Sequence, residues 1–282
     1  MPHAVIDGIS TRFEVTGQGP PLLMFSPGGF DSSLDSWRTV GIYRRLRLVE
    51  QLSESYSCIG FDRRESGRSG GRVERIGWGD YVTQAVGLLD HLGIDRAHLI
   101  GGCVGCSSAV AVAVAHTDRV RSLVLYSPAG GAKYRLKQHE RFAVHLAEVR
   151  ASGLAGVVDL ARSTIAGFSA DPRLGPWAHV IRDDDAFAEA YSGLDVERYV
   201  TQLLGTVRLL FDRDSVPGPE PEDMLTLDVP ALIVPGEDDS HAPSAARFLH
   251  ECLPASQLWD VPVAEQTDQS APARILEFLA SH

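Results

Sequence analysis

Apolar residues fall in two different rhythms along this chain. Short unbroken runs occur at "PLLMFSP" (21–27), "YSCIGFD" (56–62), "HLIGGC" (98–103) and "VRSLVLYSPA" (120–129). Runs of this length without alternation predict parallel strands buried on both faces. Between the second and third, "GDYVTQAVGLLDHLGI" (79–94) places Tyr81, Val82, Ala85, Val86, Leu88, Leu89 and Leu92 at helical spacing, which predicts a helix. Residues 4–20 predict an opening hairpin closed by Gly17, Gly19 and Pro20. From 131 to 222 the period is helical, until "GPEPEDM" (218–224) breaks it. The strand rhythm returns at "ALIVPG" (231–236) and "QLWDVP" (257–262), with helices predicted over 244–253 and 271–280. Strand and helix alternating at this pitch predict an α/β fold with a mostly parallel central sheet flanked by helices. The reading divides the chain into a core of residues 1–130 and 223–282 and a helical cap, residues 131–222, inserted between two sheet strands.

Bulk properties narrow the function. A chain of 282 residues buries about 75% of its extended surface on folding and needs no disulfide staples. Its formal charge of −11 and pI near 5.3 argue against a nucleic-acid partner. The four cysteines, Cys58, Cys103, Cys106 and Cys252, are irregularly spaced, as expected for reduced thiols in the cytoplasm. "MPHAVIDGIS" has no charged segment followed by an apolar one, so no secretion signal is expected. Residues 99–115 form the longest apolar stretch, but its glycines, serines and cysteines fit a strand and a buried helix better than a membrane span. The expectation is a cytoplasmic protein with a small-molecule substrate and neither nucleic-acid nor membrane partners. Whether it forms a homodimer stays open.

The sequence Gly101-Gly102-Cys103-Val104-Gly105, between a predicted strand and a predicted helix, has the G-x-S-x-G pattern of a nucleophile elbow with sulfur in place of oxygen. A thiol differs from a serine hydroxyl in needing less help. Its ordinary pKa of about 8.5 falls to roughly 3.5–7.5 at a helix N-terminus, where unpaired N–H groups favour the thiolate. Cys106, three residues on, is read as packing on the buried helix rather than as a redox partner.

Two further motifs join the elbow. "FDRRESGRS" (61–69) is similar to a D-x-R-G-x-G-x-S loop, and "GEDDSHAP" (236–243) to a G-x-x-D-x-x-x-P loop. In this order and spacing the chain resembles the α/β-hydrolase fold superfamily over nearly its whole length, as a variant with a cysteine nucleophile. The resemblance puts the catalytic acid at Asp239. It also exposes departures. The oxyanion loop reads Pro27-Gly28-Gly29-Phe30 instead of beginning His-Gly, Glu65 stands where the second motif has glycine, and "VAEQTDQS" (263–270) lacks the histidine that the family carries there.

His241, two residues after Asp239, is the candidate replacement base, with Glu265 in the vacated histidine position to orient it. The oxyanion hole is expected from the backbone N–H of Val104 and of Gly29 or Phe30, since Pro27 has none. Asp31 and Trp37 are candidates for the pocket wall, or equally a surface turn residue and a core aromatic. Arg63, Arg64 and Glu65 read as a structural salt-bridge cluster. His139 and His145, six apart, lack helical metal-ligand spacing, His250 reads as a helix-surface residue and His282 ends the chain. No metal or other cofactor is expected. These features predict a hydrolase acting through Cys103 on an activated ester, thioester or lactone of a small apolar substrate, because only a good leaving group departs without a strong acid. A non-hydrolytic enzyme of the same fold (lyase, isomerase or cyclase) and a retired, ligand-binding relative are the alternatives.

Overall fold

The computed structural model describes residues 2–282. Strands β1 (His3–Ile6) and β2 (Ile9–Thr16) pair antiparallel, with Ile6 opposite Ile9. Their turn is Asp7-Gly8, both at positive φ (48° and 73°), the combination that a tight two-residue hairpin demands. The hairpin therefore closes earlier than the glycines at 17 and 19 suggest. Those glycines lead from β2 into the sheet interior, where a Cβ on Gly17 would lie 2.2 Å from the Ser53 carbonyl oxygen.

Six more strands complete one eight-stranded sheet of order β1-β2-β4-β3-β5-β6-β7-β8: β3 (Pro21–Phe25), β4 (Ser57–Phe61), β5 (Ala97–Cys103), β6 (Val120–Pro128), β7 (Ala231–Val234) and β8 (Ser256–Leu258). All pairings from β4 to β8 are parallel, while β2 joins β4 antiparallel. The period-2 geometry of a strand sorts its apolar residues onto two faces. Leu23, Leu99, Leu123, Leu125 and Ile233 enter one core, and Leu22, Met24, Ile100, Val124 and Leu232 the other. Both faces must be covered by helices, which is why the central runs are unbroken rather than alternating.

Short helices α1 (Ser36–Thr39), α2 (Gly41–Leu46) and α3 (Leu48–Leu52) follow β3. Helix α4 (Trp78–His91) follows β4, and α5 (Gly105–Ala115) follows β5. Five helices and no strand separate β6 from β7: α6 (Ala132–Arg162), α7 (Ala178–Asp183), α8 (Asp185–Ser192), α9 (Val196–Leu210) and α10 (Pro221–Met224). Helix α6 is two helical pieces joined at Gly153, whose φ of 70° breaks the helix. The insertion has its own apolar core, including Phe142, Leu154, Phe168, Trp177 and Tyr199, which meets the sheet domain at Phe30, Tyr81 and Val104. Helices α11 (Pro243–Cys252) and α12 (Ser270–Ala280) flank β8.

The junction of β5 and α5 is built by backbone packing. Cys103 sits at φ 56°, a left-handed conformation that costs a non-glycine residue about 1–3 kcal/mol. A Cβ on Gly105 would stand 2.2 Å from the Phe25 carbonyl oxygen, and one on Gly101 2.5 Å from the backbone of Gly105 and Cys106. Gly102 is closed off by the Tyr43 ring at 2.8 Å. Helix α5 can lie this deep because its residues are small and Gly105 through Ala113 are all buried.

Gly105→Ala should therefore destabilise by about 3 kcal/mol, since the obstructing atom is backbone and cannot swing aside. Gly79→Ala, in α4 where a Cβ meets nothing within 4 Å, should instead be neutral or stabilising by up to about 1 kcal/mol. Urea-unfolding midpoints of the two variants check the contrast.

Candidate active site

Three loops converge at the carboxyl ends of the central strands, the edge where open α/β sheets bind ligands. The loop after β3 carries Ser26 to Asp31, β5 ends on Cys103, and the loop after β7 carries Pro235 to Ala242. The last of these folds back on itself. Gly236 is required because a Cβ there would lie 2.5 Å from His241 Cβ. The Gly130 N–H donates to the Ser240 carbonyl at 3.0 Å, strapping the loop to the chain after β6.

Asp238 organises this loop. Its Oδ1 accepts from the backbone N–H of Ser240 at 2.8 Å and of His241 at 3.1 Å. The His241 ring donates from Nδ1 to the same carboxylate, 2.8 Å from Oδ1 and 2.9 Å from Oδ2. A donating Nδ1–H turns Nε2 the other way. That nitrogen is buried and lacks a partner in hydrogen-bond geometry, yet its charge is coupled to the Cys103 sulfur.

The two groups shift each other. Burial would raise the Cys103 thiol, but the His241 ring and the backbone N–H groups of Val104 and Gly28 outweigh it and hold the thiol below its ordinary value. Burial would likewise lower His241. The sulfur and the Asp238 carboxylate override it and raise the imidazole to about 9. Each group's charge favours the other's, so the two titrate as a unit.

The acid beside His241 is Asp238 and not Asp239. Asp239 points outward to Lys133 Nζ at 2.7 Å, with both side chains about three-quarters exposed. A turn lets a carboxylate reach the N–H groups two and three residues ahead and the ring that follows, whereas only one residue separates Asp239 from His241. Glu265 is exposed and has no hydrogen bond or ion pair to His241. Its neighbour Gln266 fills the space beneath, buried, donating to the carbonyls of Pro235 and Val261 and accepting from Tyr126 Oη at 2.7 Å.

Gly28, Gly29, Tyr43, Cys103, Tyr134, Gln138, Arg141, Ser169 and His241 are among the residues lining a cavity of about 240 Å³. A second depression of about 420 Å³ adjoins it across Val40, Tyr43 and His241. Phe30 is not on the wall. Its ring packs edge-on to Phe142 and Phe168, under Arg63, and the backbone N–H groups that lower the Cys103 thiol are those of Val104 and Gly28. Trp37 is 1% exposed and stacks edge-on to Tyr43 behind the wall.

Asp31 also lies off the wall. It accepts from the N–H groups of Phe168 and Ser169 and pairs with His179 at 3.1 Å, tying the oxyanion-side loop to the insertion. Cys106 is buried and donates to the Gly101 carbonyl. Arg64 pairs with buried Glu65 at 2.6 Å and also with Glu74 and Asp80. His145 is enclosed in the insertion core between the Arg173 carbonyl and Tyr199 Oη, and burial lowers it to about 4. Asp238, Gly28, Tyr43 and Arg141 were not singled out from sequence. The Asp-x-x-His spacing could have identified the first, because an aspartate three residues ahead of a turn histidine is placed to cap it.

Residues 21–169 match the family model described as the alpha/beta hydrolase fold. Among curated proteins, the chain is 34% identical over 128 residues to a 2-hydroxymuconate semialdehyde hydrolase of Pseudomonas sp. (strain CF600), covering 44% of this chain and 41% of that protein. It thus spans less than half the length of that relative. It is 27% identical over 215 residues to a putative carbamate hydrolase, RutD, of Caulobacter sp. (strain K31), covering 74% of each. The structure superposes on the enol-lactonase from Burkholderia xenovorans LB400 with a TM-score of 0.63 at 19% identity, over 99% of this chain and 100% of the other. With the parallel sheet, the strand–elbow–helix junction and a family match over more than half of its length, the chain belongs to the α/β-hydrolase fold family.

Proposed function

We propose that this chain is a cysteine-dependent hydrolase of small activated carbonyl compounds (esters, thioesters or lactones), with Cys103 as nucleophile, His241 as general acid and base, and Asp238 as the group that orients His241. The observation that supports it most is the bidentate Asp238–His241 bond on a ring that lines the same cavity as Cys103 and shifts its thiol downward.

In this reading the Cys103 thiolate attacks the substrate carbonyl carbon, and the carbonyl oxygen takes up the negative charge. The N–H groups of Val104 and Gly28 stabilise that oxyanion, each such donor contributing roughly 10²–10³ in rate. The His241 imidazolium delivers its Nε2 proton to the leaving oxygen or sulfur, which departs and leaves an acyl-cysteine. Neutral His241 then takes a proton from water, the hydroxide equivalent attacks the acyl carbon, and the acid product leaves as the thiolate–imidazolium pair re-forms. Substrates of this general kind are in keeping with the carbamate, semialdehyde and enol-lactone hydrolases to which the chain is similar.

The sign of the pH dependence follows from the pair. Each charge stabilises the other, so removing the Asp238 carboxylate lowers His241 and thereby raises Cys103. Iodoacetamide alkylation of Cys103 should show an inflection below the ordinary thiol value of about 8.5. Asp238→Asn should shift that inflection upward, and Asp239→Asn should leave it in place. Turnover should fall again as pH rises through about 9, where His241 loses the proton it must donate.

A covalent test separates the roles. Incubation with an acyl-thioester panel should give an acyl mass increment on Cys103 that Cys103→Ala abolishes. His241→Gln should lower kcat/KM by about 10²–10⁴ and should accumulate the acyl-enzyme, since deacylation needs the base. Failure to observe any adduct with the wild-type protein would overturn the reading.

A further inference from the structure

Tyr134, Gln138 and Arg141 follow one another at helical spacing along α6 and all line the cavity that holds Cys103. Residues four and three apart share one face of a helix, so this face of the insertion forms part of the cavity wall. Arg141 is half-buried. Its guanidinium donates to the Ser169 carbonyl at 3.2 Å and, at 3.4 Å, to Oε1 of buried Gln138. Those contacts hold it against the wall without neutralising it.

Of the other cations at this end of α6, exposed Lys137 is off the cavity wall and two are paired. Lys133 pairs with Asp239, and Arg135 with Asp214. Arg141 has no carboxylate within ion-pair distance among the described residues. Asp31, which takes the neighbouring Ser169 N–H, is occupied by that amide, the Phe168 amide and His179. No aspartate or glutamate is among the described residues lining the cavity, in a chain whose formal charge is −11. At the other end the His241 ring is held between the Cys103 sulfur and the Asp238 carboxylate. Arg141 is therefore the one cationic side chain on the cavity wall, among the described residues, without a carboxylate partner.

We infer that Arg141 is an anion subsite of this cavity, and that the substrate is a short ester, thioester or lactone carrying a carboxylate at the end remote from the reacting carbonyl. This rests on the reading of Cys103 as the acylated residue. A planar guanidinium presents two parallel N–H donors to a carboxylate. The cavity of about 240 Å³ between Cys103 and Arg141 has room for a short acyl chain.

The test compares p-nitrophenyl hydrogen glutarate with p-nitrophenyl pentanoate, which share a leaving group and a five-carbon acyl chain and differ in one terminal carboxylate. The wild-type protein should favour the glutarate ester in kcat/KM. That preference should fall about 10- to 100-fold in Arg141→Met, chiefly through KM, and recover in part in Arg141→Lys. A preference absent in the wild type, or unchanged by Arg141→Met, overturns the inference. A second arm does not depend on turnover. Glutarate should slow iodoacetamide alkylation of Cys103 in the wild type and not in Arg141→Met, while neutral glutaramide should protect neither. Equal protection by the two compounds, or none by glutarate, overturns the subsite. If neither ester is turned over, the hydrolase reading fails, and the protection arm still decides whether Arg141 binds a carboxylate.

Discussion

The site depends on a backbone-to-backbone contact between the first turn of α5 and the last residue of β3. Gly105 lies so close to the Phe25 carbonyl that no side chain fits between them, and Gly101 presses on the same turn from below. That contact holds Cys103 in its left-handed conformation and brings the loop after β3 alongside the helix N-terminus. Two amides from different parts of the chain, those of Val104 and Gly28, then face one sulfur. The strain at Cys103 persists because the surrounding packing leaves no relaxed alternative.

On this scaffold the imidazole that lines the cavity with the sulfur comes from the loop after β7. Asp238 and His241 occupy a single turn, so the carboxylate that fixes the ring also fixes the loop's own backbone. The loop after β8 has no part in the pair and packs as structure, with buried Gln266 satisfied by two carbonyls and a tyrosine hydroxyl. Placing Asp238 and His241 on one loop makes their mutual geometry local. It then rests on the strap from Gly130 and on the Gly236–His241 approach rather than on the docking of two separate loops.

The helical insertion is joined to the site at two points. Asp31 fastens the loop after β3 to Phe168, Ser169 and His179, and α6 lays Tyr134, Gln138 and Arg141 along the cavity. Burial would raise the Asp31 carboxyl, yet its bonds to His179 and Ser169 hold it below the usual range, so it accepts these bonds as a carboxylate. Arg141 adds to the cavity wall a positive charge that no carboxylate among the described residues pairs.

The sequence by itself determined the sheet, the elbow and the identity of the sulfur. Unbroken apolar runs are a direct consequence of burial on both faces, and Gly101-x-Cys103-x-Gly105 records contacts that no side chain survives. It also pointed to His241, the one histidine in a loop at the right sheet edge. Tertiary structure decided which neighbours complete the site. Choosing between Asp238 and Asp239 depends on the direction of a turn, Gly28 rather than the expected Gly29 or Phe30 lowers the thiol because of how the loop after β3 folds, and the positions of Glu265, Asp31 and Trp37 follow from how loops pack. Arg141 left no mark in sequence, since its character comes from the absence of a counter-charge in three dimensions. Local backbone demands are written in residue type and spacing. The pairing of charges across loops is settled only when the chain has closed around them.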